Sequence, residues 1–350
     1  MAHGYKAVSW TPFKKRFDLW MLVGVLIYLV VFVVVSSATL PEGESFTPIQ
    51  TLIRATGSLG FLLLCFVLCI GPMARLTPRF KPFLYNRRHL GVMTSSVGLI
   101  HAGLVLLWYH GFSQTNALVS LLVSNPRYDS IAGFPFESLG LLALVVLFLM
   151  AATSHDFWNA NLGPTLWKTL HMGVYFAFAL VVAHIALGAI QFEKHPVYVT
   201  FLATGASVVG ALHILAGWLA SGAPQVKAEA GWLVVGPASA IPDRRAQIVQ
   251  PPKGDRIAVF RDNNRVFAVT NVCRHQGGPL GEGRIIDGCI TCPWHGFQYR
   301  PQDGRSPAPY SEKIATYATR IVNGMVEVFT EPNRPGTPQA PSIIPAEGAE

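Results

Sequence analysis

The chain has 350 residues, enough for two domains, and 51% of them are hydrophobic against only 13% charged. That charged share is about half of what a soluble protein carries, and a mean hydropathy of +0.38 excludes an ordinary soluble globular chain. The formal charge of +8 does not point to nucleic acid, because the basic residues cluster at the ends of apolar segments, where they act as topology signals.

Apolar residues are dense up to about Ser221 and ordinary beyond it, so a membrane half precedes a soluble half. Lys14-Lys15-Arg16 leads into an apolar run from Leu19 to Val35. The small residues Ser36-Ser37-Ala38 would suit a signal-peptide cleavage site, but the run exceeds a typical signal core and further spans follow, so it predicts a transmembrane helix. More runs occupy 52–74, 90–109, 138–153, 166–190 and 197–220. The expected fold is an α-helical transmembrane bundle of six helices followed by a small all-β domain.

Lys6, Lys14, Lys15 and Arg16 precede the first span, and Arg75, Arg79, Lys81, Arg87 and Arg88 lie between the second and third. The opposite loops hold Glu42 and Glu44, then Arg127, Asp129 and Glu137, then Glu193 and Lys194. The positive-inside bias places the N-terminus in the cytoplasm, and six spans return the C-terminal half to the same side of the inner membrane. The expected divisions are a cytoplasmic segment 1–18, a membrane bundle 19–221, a linker 222–230 around Ser221-Gly222-Ala223-Pro224, a β domain 231–330 and a disordered Pro- and Ala-rich tail 331–350. Within the β domain Ile257–Phe260, Val266–Val269 and Met325–Phe329 read as strands, with Asp262-Asn263-Asn264-Arg265 as a hairpin turn.

The densest chemistry lies between Cys273 and His295. Cys273-Arg274-His275 is followed, after sixteen residues, by Cys292-Pro293-Trp294-His295-Gly296. Thiolates are soft ligands suited to iron–sulfur centres and imidazole suits iron or zinc. Two histidines in place of two cysteines on one iron of a [2Fe–2S] unit make a Rieske centre. A zinc site using the C-x-x-C of Cys289 and Cys292 with His275 and His295 is the rival. Zinc does not explain the Gly and Pro residues on both loops, which let backbone N–H groups approach bridging sulfides. With Gly277-Gly278-Pro279-Leu280 and Pro293-Trp294-His295-Gly296-Phe297, the stretch closely resembles the Rieske family. The resemblance implies that Cys273 and Cys292 hold one iron, His275 and His295 the other, and that Cys289 is a small apolar strand residue. High-potential members carry an extra Cys in each loop; Gly278 and Trp294 stand there in this chain, and Phe297 replaces a Ser that often hydrogen-bonds the cluster. The expected potential therefore lies toward the low end of the range of about −150 to +300 mV. An aromatic-ring oxygenase would further need a mononuclear iron held by two His and a carboxylate, and no His follows His295.

Several histidines fall in or beside the spans: His89, His101, His110, His171, His184 and His213. Intramembrane ionisable residues are costly and usually functional, and imidazoles converging from facing helices are a common way to hold heme. His171 and His184 are separated by 13 residues, about 20 Å along a helix and about 140° around it. Depth pairs His101 with His184 on the outer half and leaves His89 as the nearest candidate for His171. Cys65 and Cys69 share a helical face and read as packing residues.

The membrane half also resembles the ferric-reductase-like transmembrane domain, in the form found in the heme-binding membrane subunit of the methionine sulfoxide reductase system. The residues that carry the resemblance are Arg54-Ala-Thr-Gly57, Gly71-Pro72-Met73-Ala74-Arg75-Leu76-Thr77, Arg87-Arg88-His89-Leu90-Gly91 running to His101, Thr153-Ser154, and Asn161-Leu162-Gly163 leading through Trp167-Lys168 to His171, Tyr175 and His184. It implies b-type heme, one or two, held by His101, His171 and His184; His89 stands where that family has an apolar residue. Together the two halves predict a membrane-bound electron-transfer protein joining a cytoplasmic [2Fe–2S] cluster to heme b. No Gly-rich flavin or dinucleotide fingerprint is present, so a cytoplasmic reductase or the quinone pool is the expected redox partner, with an acceptor protein or a metal ion beyond the heme. A terminal ferric or cupric metalloreductase and a membrane-tethered Rieske ferredoxin without heme are the alternatives.

Overall fold

The computed structural model describes residues 12–39, 46–112, 114–154, 156–192, 195–221, 230–275, 277–293, 296–308 and 310–345. Lys6, Glu42, Glu44, Glu193, Lys194, linker residues 222–229 and the last five residues of the tail lie outside them. The described residues form two compact units, one dominated by helices and one by strands.

The helical unit contains α1 (Pro12–Thr39), α2 (Pro48–Leu76), α3 (Lys81–Val105), α4 (Ala117–Val123), α5 (Phe136–Ala152), α6 (Asp156–Leu187), α7 (Ala189–Phe192) and α8 (Pro196–Ser221). Five stretches are long and apolar enough to cross a bilayer: Lys14–Thr39, Pro48–Leu76, Asn86–His110, Leu166–Phe192 and Pro196–Leu219. The sixth expected span is α5, apolar but of 17 residues. That is about 26 Å, somewhat short of a hydrocarbon layer of about 30 Å. The short α4 has no counterpart in the six-span reading, and α7 continues the fifth expected span after a break at Gly188.

Local signals fit these elements. Thr47 and Gln50 form a capping box at the start of α2, with Pro48 in its first turn. One face of α2, including Phe61, Leu64, Cys65 and Leu68, packs with Leu202 and Val209 of α8. On α1, Leu22, Leu26, Ile27, Val30, Val31 and Val34 all remain exposed, as expected of a helix whose neighbours are lipid tails. A hydrogen bond from the Tyr28 hydroxyl to Ser58 Oγ, 2.9 Å, ties it to α2.

The β unit contains β1 (Trp232–Pro237), β2 (Ala246–Val249), β3 (Ile257–Asp262), β4 (Arg265–Thr270), β5 (Arg284–Ile286), β6 (Cys289–Thr291), β7 (Gln298–Tyr299), β8 (Thr316–Tyr317), β9 (Thr319–Val322), β10 (Met325–Phe329) and β11 (Ser342–Ile343). They form antiparallel sheets in the orders β1-β10-β9, β11-β4-β3-β2 with β8 also on β4, and β5-β6-β7. The three expected strands lie within β3, β4 and β10. Asp262 and Arg265 close the β3–β4 hairpin as anticipated, with Asn263 at φ 56°, a left-handed position that Asn tolerates.

Strand β3 is buried on both faces. Ile257 and Val259 enter a core with Leu233, Val235, Val326 and Val328, while Ala258 and Phe260 enter a second core with Leu280, Ile290 and Tyr299. Alternating side chains thus serve two cores, which is why the run reads as continuously apolar. Cys273 and Cys292 belong to the second core.

The expectation of a disordered tail is corrected over Glu331–Pro345. The backbone N–H groups of Asn333, Gly336, Gln339 and Ile344 bond the carbonyls of Thr316, Ile314, Gln302 and Asn264, and β11 pairs with β4. The segment has no hydrophobic period because its order comes from backbone pairing along the β unit.

Candidate metal centres

Two loops of the β unit share one backbone design. In the first, Cys273 N–H bonds Gly278 O at 2.9 Å and Gly277 N–H bonds Cys273 O at 2.7 Å. In the second, Cys292 N–H bonds Phe297 O at 2.8 Å and Gly296 N–H bonds Cys292 O at 3.0 Å. Gly277 and Gly296 take φ of +73° and +71°, the left-handed region where a side chain is strained. Each loop therefore turns back over its own cysteine, and both cysteines are anchored in the core at 1% and 3% exposure.

Around the first loop, the His275 ring stacks on Phe297 with centroids 5.1 Å apart. The Tyr299 hydroxyl lies 3.5 Å from Cys273 Sγ and accepts the Arg274 N–H at 3.0 Å. Burial, reinforced by Cys273, pushes the Tyr299 hydroxyl above its ordinary pKa, so it stays protonated. Tyr299 was missed in the sequence; its signal was the strand register after Gly296, which turns it into the core. His295 and Trp294 lie outside the described residues. Cys289 occupies the start of β6, about 10 Å along an extended strand from Cys292 and three residues out of phase with it. That disfavours a shared zinc ion, whose thiolates sit about 2.3 Å from the metal. Burial raises the Cys289 thiol pKa and keeps it neutral.

In the helical unit, the structure brings His101 and His184 together, with ring centroids 6.5 Å apart and planes at 86°. His101 Nδ1 lies 3.0 Å from Ile53 O on α2, and His184 Nδ1 lies 2.8 Å from Phe136 O on α5. A carbonyl only accepts, so each Nδ1 carries the proton and each Nε2 presents a lone pair. This is the pattern of metal-binding imidazoles held by an outer hydrogen bond. Two glycines make room for the rings. A Cβ on Gly57 would stand 2.9 Å from the His101 ring, and one on Gly140 would stand 2.8 Å from that of His184. Nitrogen donors, fixed tautomers and cleared space fit a metal centre between α3 and α6.

His171 has the same tautomer. Its Nδ1 donates to Trp167 O at 2.9 Å, and its Nε2 faces Ser154 Oγ at 3.4 Å, whose hydroxyl donates to Met150 O at 2.6 Å. His89 instead meets Asp18 on α1, with Nδ1 2.7 Å from the carboxylate. His213 accepts from the Tyr175 hydroxyl at 3.1 Å and donates to Val209 O, and His110 contacts Ser120 Oγ at 3.0 Å.

Residues 231–318 match the Rieske [2Fe-2S] domain family, and residues 56–182 match the ferric reductase like transmembrane component. The chain is a fusion of the two. Its C-terminal part belongs to the Rieske family. It is 41% identical over 73 residues to the anthranilate 1,2-dioxygenase ferredoxin subunit of Burkholderia cepacia, covering 21% of this chain and 68% of that one. Similarity to the cholesterol 7-desaturase of Xenopus laevis, 39% over 85 residues, covers 22% of this chain and only 19% of the desaturase. The ferric-reductase-like component is similar to the protein-methionine-sulfoxide reductase heme-binding subunit MsrQ of Herminiimonas arsenicoxydans, 29% identical over 168 residues, which are 47% of this chain and 72% of that subunit. The Rieske domain contains both cysteine loops. His101 and His171 lie within the matched membrane component, and His184 lies just beyond it.

Proposed function

We propose that this protein carries electrons between a Rieske [2Fe–2S] cluster at the cytoplasmic face of the inner membrane and b-type heme in its helical bundle. The observation that carries the reading is the pair His101 and His184, each with Nδ1 held by a carbonyl from a neighbouring helix and Nε2 left as a lone pair. The name of the MsrQ relative, a heme-binding subunit, supports heme as the group they take. One-electron transfer is the chemistry that heme and cluster would supply. His101 and His184 would hold one heme; His171 is the ligand for a second, with His89 turned toward Asp18. Cys273 and Cys292 would hold one iron of the cluster and His275 and His295 the other. The Rieske domain takes 231–330, after a linker at 222–230; the positive-inside bias puts the N-terminus in the cytoplasm, and α5 as the sixth span returns the Rieske domain to the same side. A cytoplasmic reductase or the quinone pool is the redox partner on one side, and a protein or metal-ion acceptor on the other.

A redox titration of the purified protein, followed by optical and EPR spectra, tests the reading. It should give a Rieske signal and a b-type band that exchange electrons; a reduced protein without the b-type band overturns it.

Two smaller effects follow from single groups. In the assembled Rieske domain the Tyr299 hydroxyl donates to the Cys273 sulfur and favours the reduced cluster. Tyr299→Phe should lower the midpoint potential by roughly 40 mV, the equivalent of one hydrogen bond of about 1 kcal/mol for a one-electron couple. Protein-film voltammetry reads this directly. Gly140→Ala places a methyl against the His184 ring and should lower heme occupancy, measured as heme per chain, while Gly173→Ala on α6, where a Cβ would have its nearest contact at 3.5 Å, leaves it unchanged.

A further inference from the structure

Two cysteines have no part in either redox centre, and they stand together. Cys65 and Cys69 are the only cysteines in the helical half of the chain; both are buried and neither is in a disulfide. They lie one turn apart on α2, so their side chains leave the same face about 6 Å apart. Met73 follows after one further turn on that face. Cys65, Cys69 and Met73 line an open groove of about 640 Å³ between α2 and α8, together with the hydroxyl-bearing Thr200 and Thr204. Gly205 of α8 lets that helix approach α2 closely: a Cβ there would lie 3.3 Å from Cys65 Sγ and 2.6 Å from the Phe61 ring.

The lining contains no carboxylate and no imidazole. Hard cations need oxygen ligands. Thiolates suit both zinc and Cu(I), but zinc takes four Cys, His or carboxylate ligands, whereas two thiols and a thioether suit Cu(I). We propose that Cys65, Cys69 and Met73 form a Cu(I)-binding site in the ferric-reductase-like component. Binding replaces one thiol proton: an S–H bond breaks, an S–Cu bond forms, the proton leaves to solvent and no electron is transferred. A thiolate and Cu⁺ together are neutral, so the apolar groove holds no net charge and escapes the cost of a buried ion. Cys69, the middle sulfur, has a neutral donor within one turn on either side, the second thiol or the Met73 thioether. The site is separate from His101 and His184 and does not depend on the heme and cluster reading.

The test uses the full-length protein with its resident cofactors, given Cu(I) anaerobically as its acetonitrile complex and challenged with bathocuproine disulfonate. The protein should retain a single Cu(I) whose X-ray absorption shows sulfur ligands alone. The Cys65→Ser/Cys69→Ser double variant should lose at least about tenfold in affinity, with the b-type band and the Rieske signal unchanged. A second measurement needs no variant: Cu(I) should shield the peptide holding Cys65 and Cys69 from N-ethylmaleimide in the wild-type protein. Complete removal of copper by the chelator, nitrogen ligation, equal retention by the double variant, or unchanged alkylation of that peptide would each overturn the proposal.

Discussion

Replacing His184 with alanine should abolish binding of the heme proposed to lie between His101 and His184, and His101→Ala should do the same. Each substitution deletes the Nε2 lone pair and removes one hydrogen bond from the carbonyl that oriented the ring, Phe136 O or Ile53 O, the latter still accepting from the Thr56 hydroxyl at 3.2 Å. Loss of one such hydrogen bond costs about 0.5–1.5 kcal/mol, tolerable for a bundle of this size, so the variants should still insert and keep their Rieske EPR signal. Heme per chain, measured as the pyridine hemochrome, should fall by the one heme assigned to this pair. His110→Ala is the control: it removes an intramembrane histidine that meets Ser120 rather than another ring, and it should retain full heme. Equal heme in His184→Ala and in the unaltered protein would remove the basis for the proposed ligand pair.

Cys273→Ala and Cys292→Ala should each eliminate the Rieske EPR signal completely, while Cys289→Ala leaves it intact. The contrast rests on where the sulfurs lie. Cys273 and Cys292 sit under matching backbone turns within one core, whereas Cys289 faces out of phase at the other end of β6. Loss of a ligand cannot be made good by a neighbouring side chain there, because the Gly277 and Gly296 turns fix the loops against the core. The heme band should persist in the two ligand variants, but its reduction through the Rieske domain should stop. Loss of the signal in Cys289→Ala would overturn Cys273 and Cys292 as the two sulfur ligands, and absence of any Rieske signal in the unaltered protein would revive the zinc site.

The cluster loops were legible because their information is local. Cys273 with His275, and Cys292 with His295, are spaced by short turns that glycine and proline make unavoidable. The spans were legible for a similar reason, since apolar length alone announces them. What stayed hidden was long-range. No sequence pattern tells that Ile53 O and Phe136 O orient His101 and His184, because every residue offers a carbonyl. Gly140 looks like one more small residue in an apolar run until the His184 ring is found against it. His89 looked suitable by depth, but depth is blind to Asp18 arriving from another helix. The stretch after Glu331 failed differently: its order comes from backbone pairing, which leaves no hydrophobic period to read.

Strand β3 acts as a party wall. One side of it, Ala258 and Phe260, touches the core that encloses Cys273 and Cys292; the other, Ile257 and Val259, touches a core that meets neither. Protein interiors are close-packed, so a change of one methylene is felt by the neighbours. A volume change at Val259 or at its neighbours Val326 and Val328 is therefore transmitted through a shared backbone to the cysteine loops. The potential of the proposed cluster should therefore respond to residues outside the core that encloses Cys273 and Cys292.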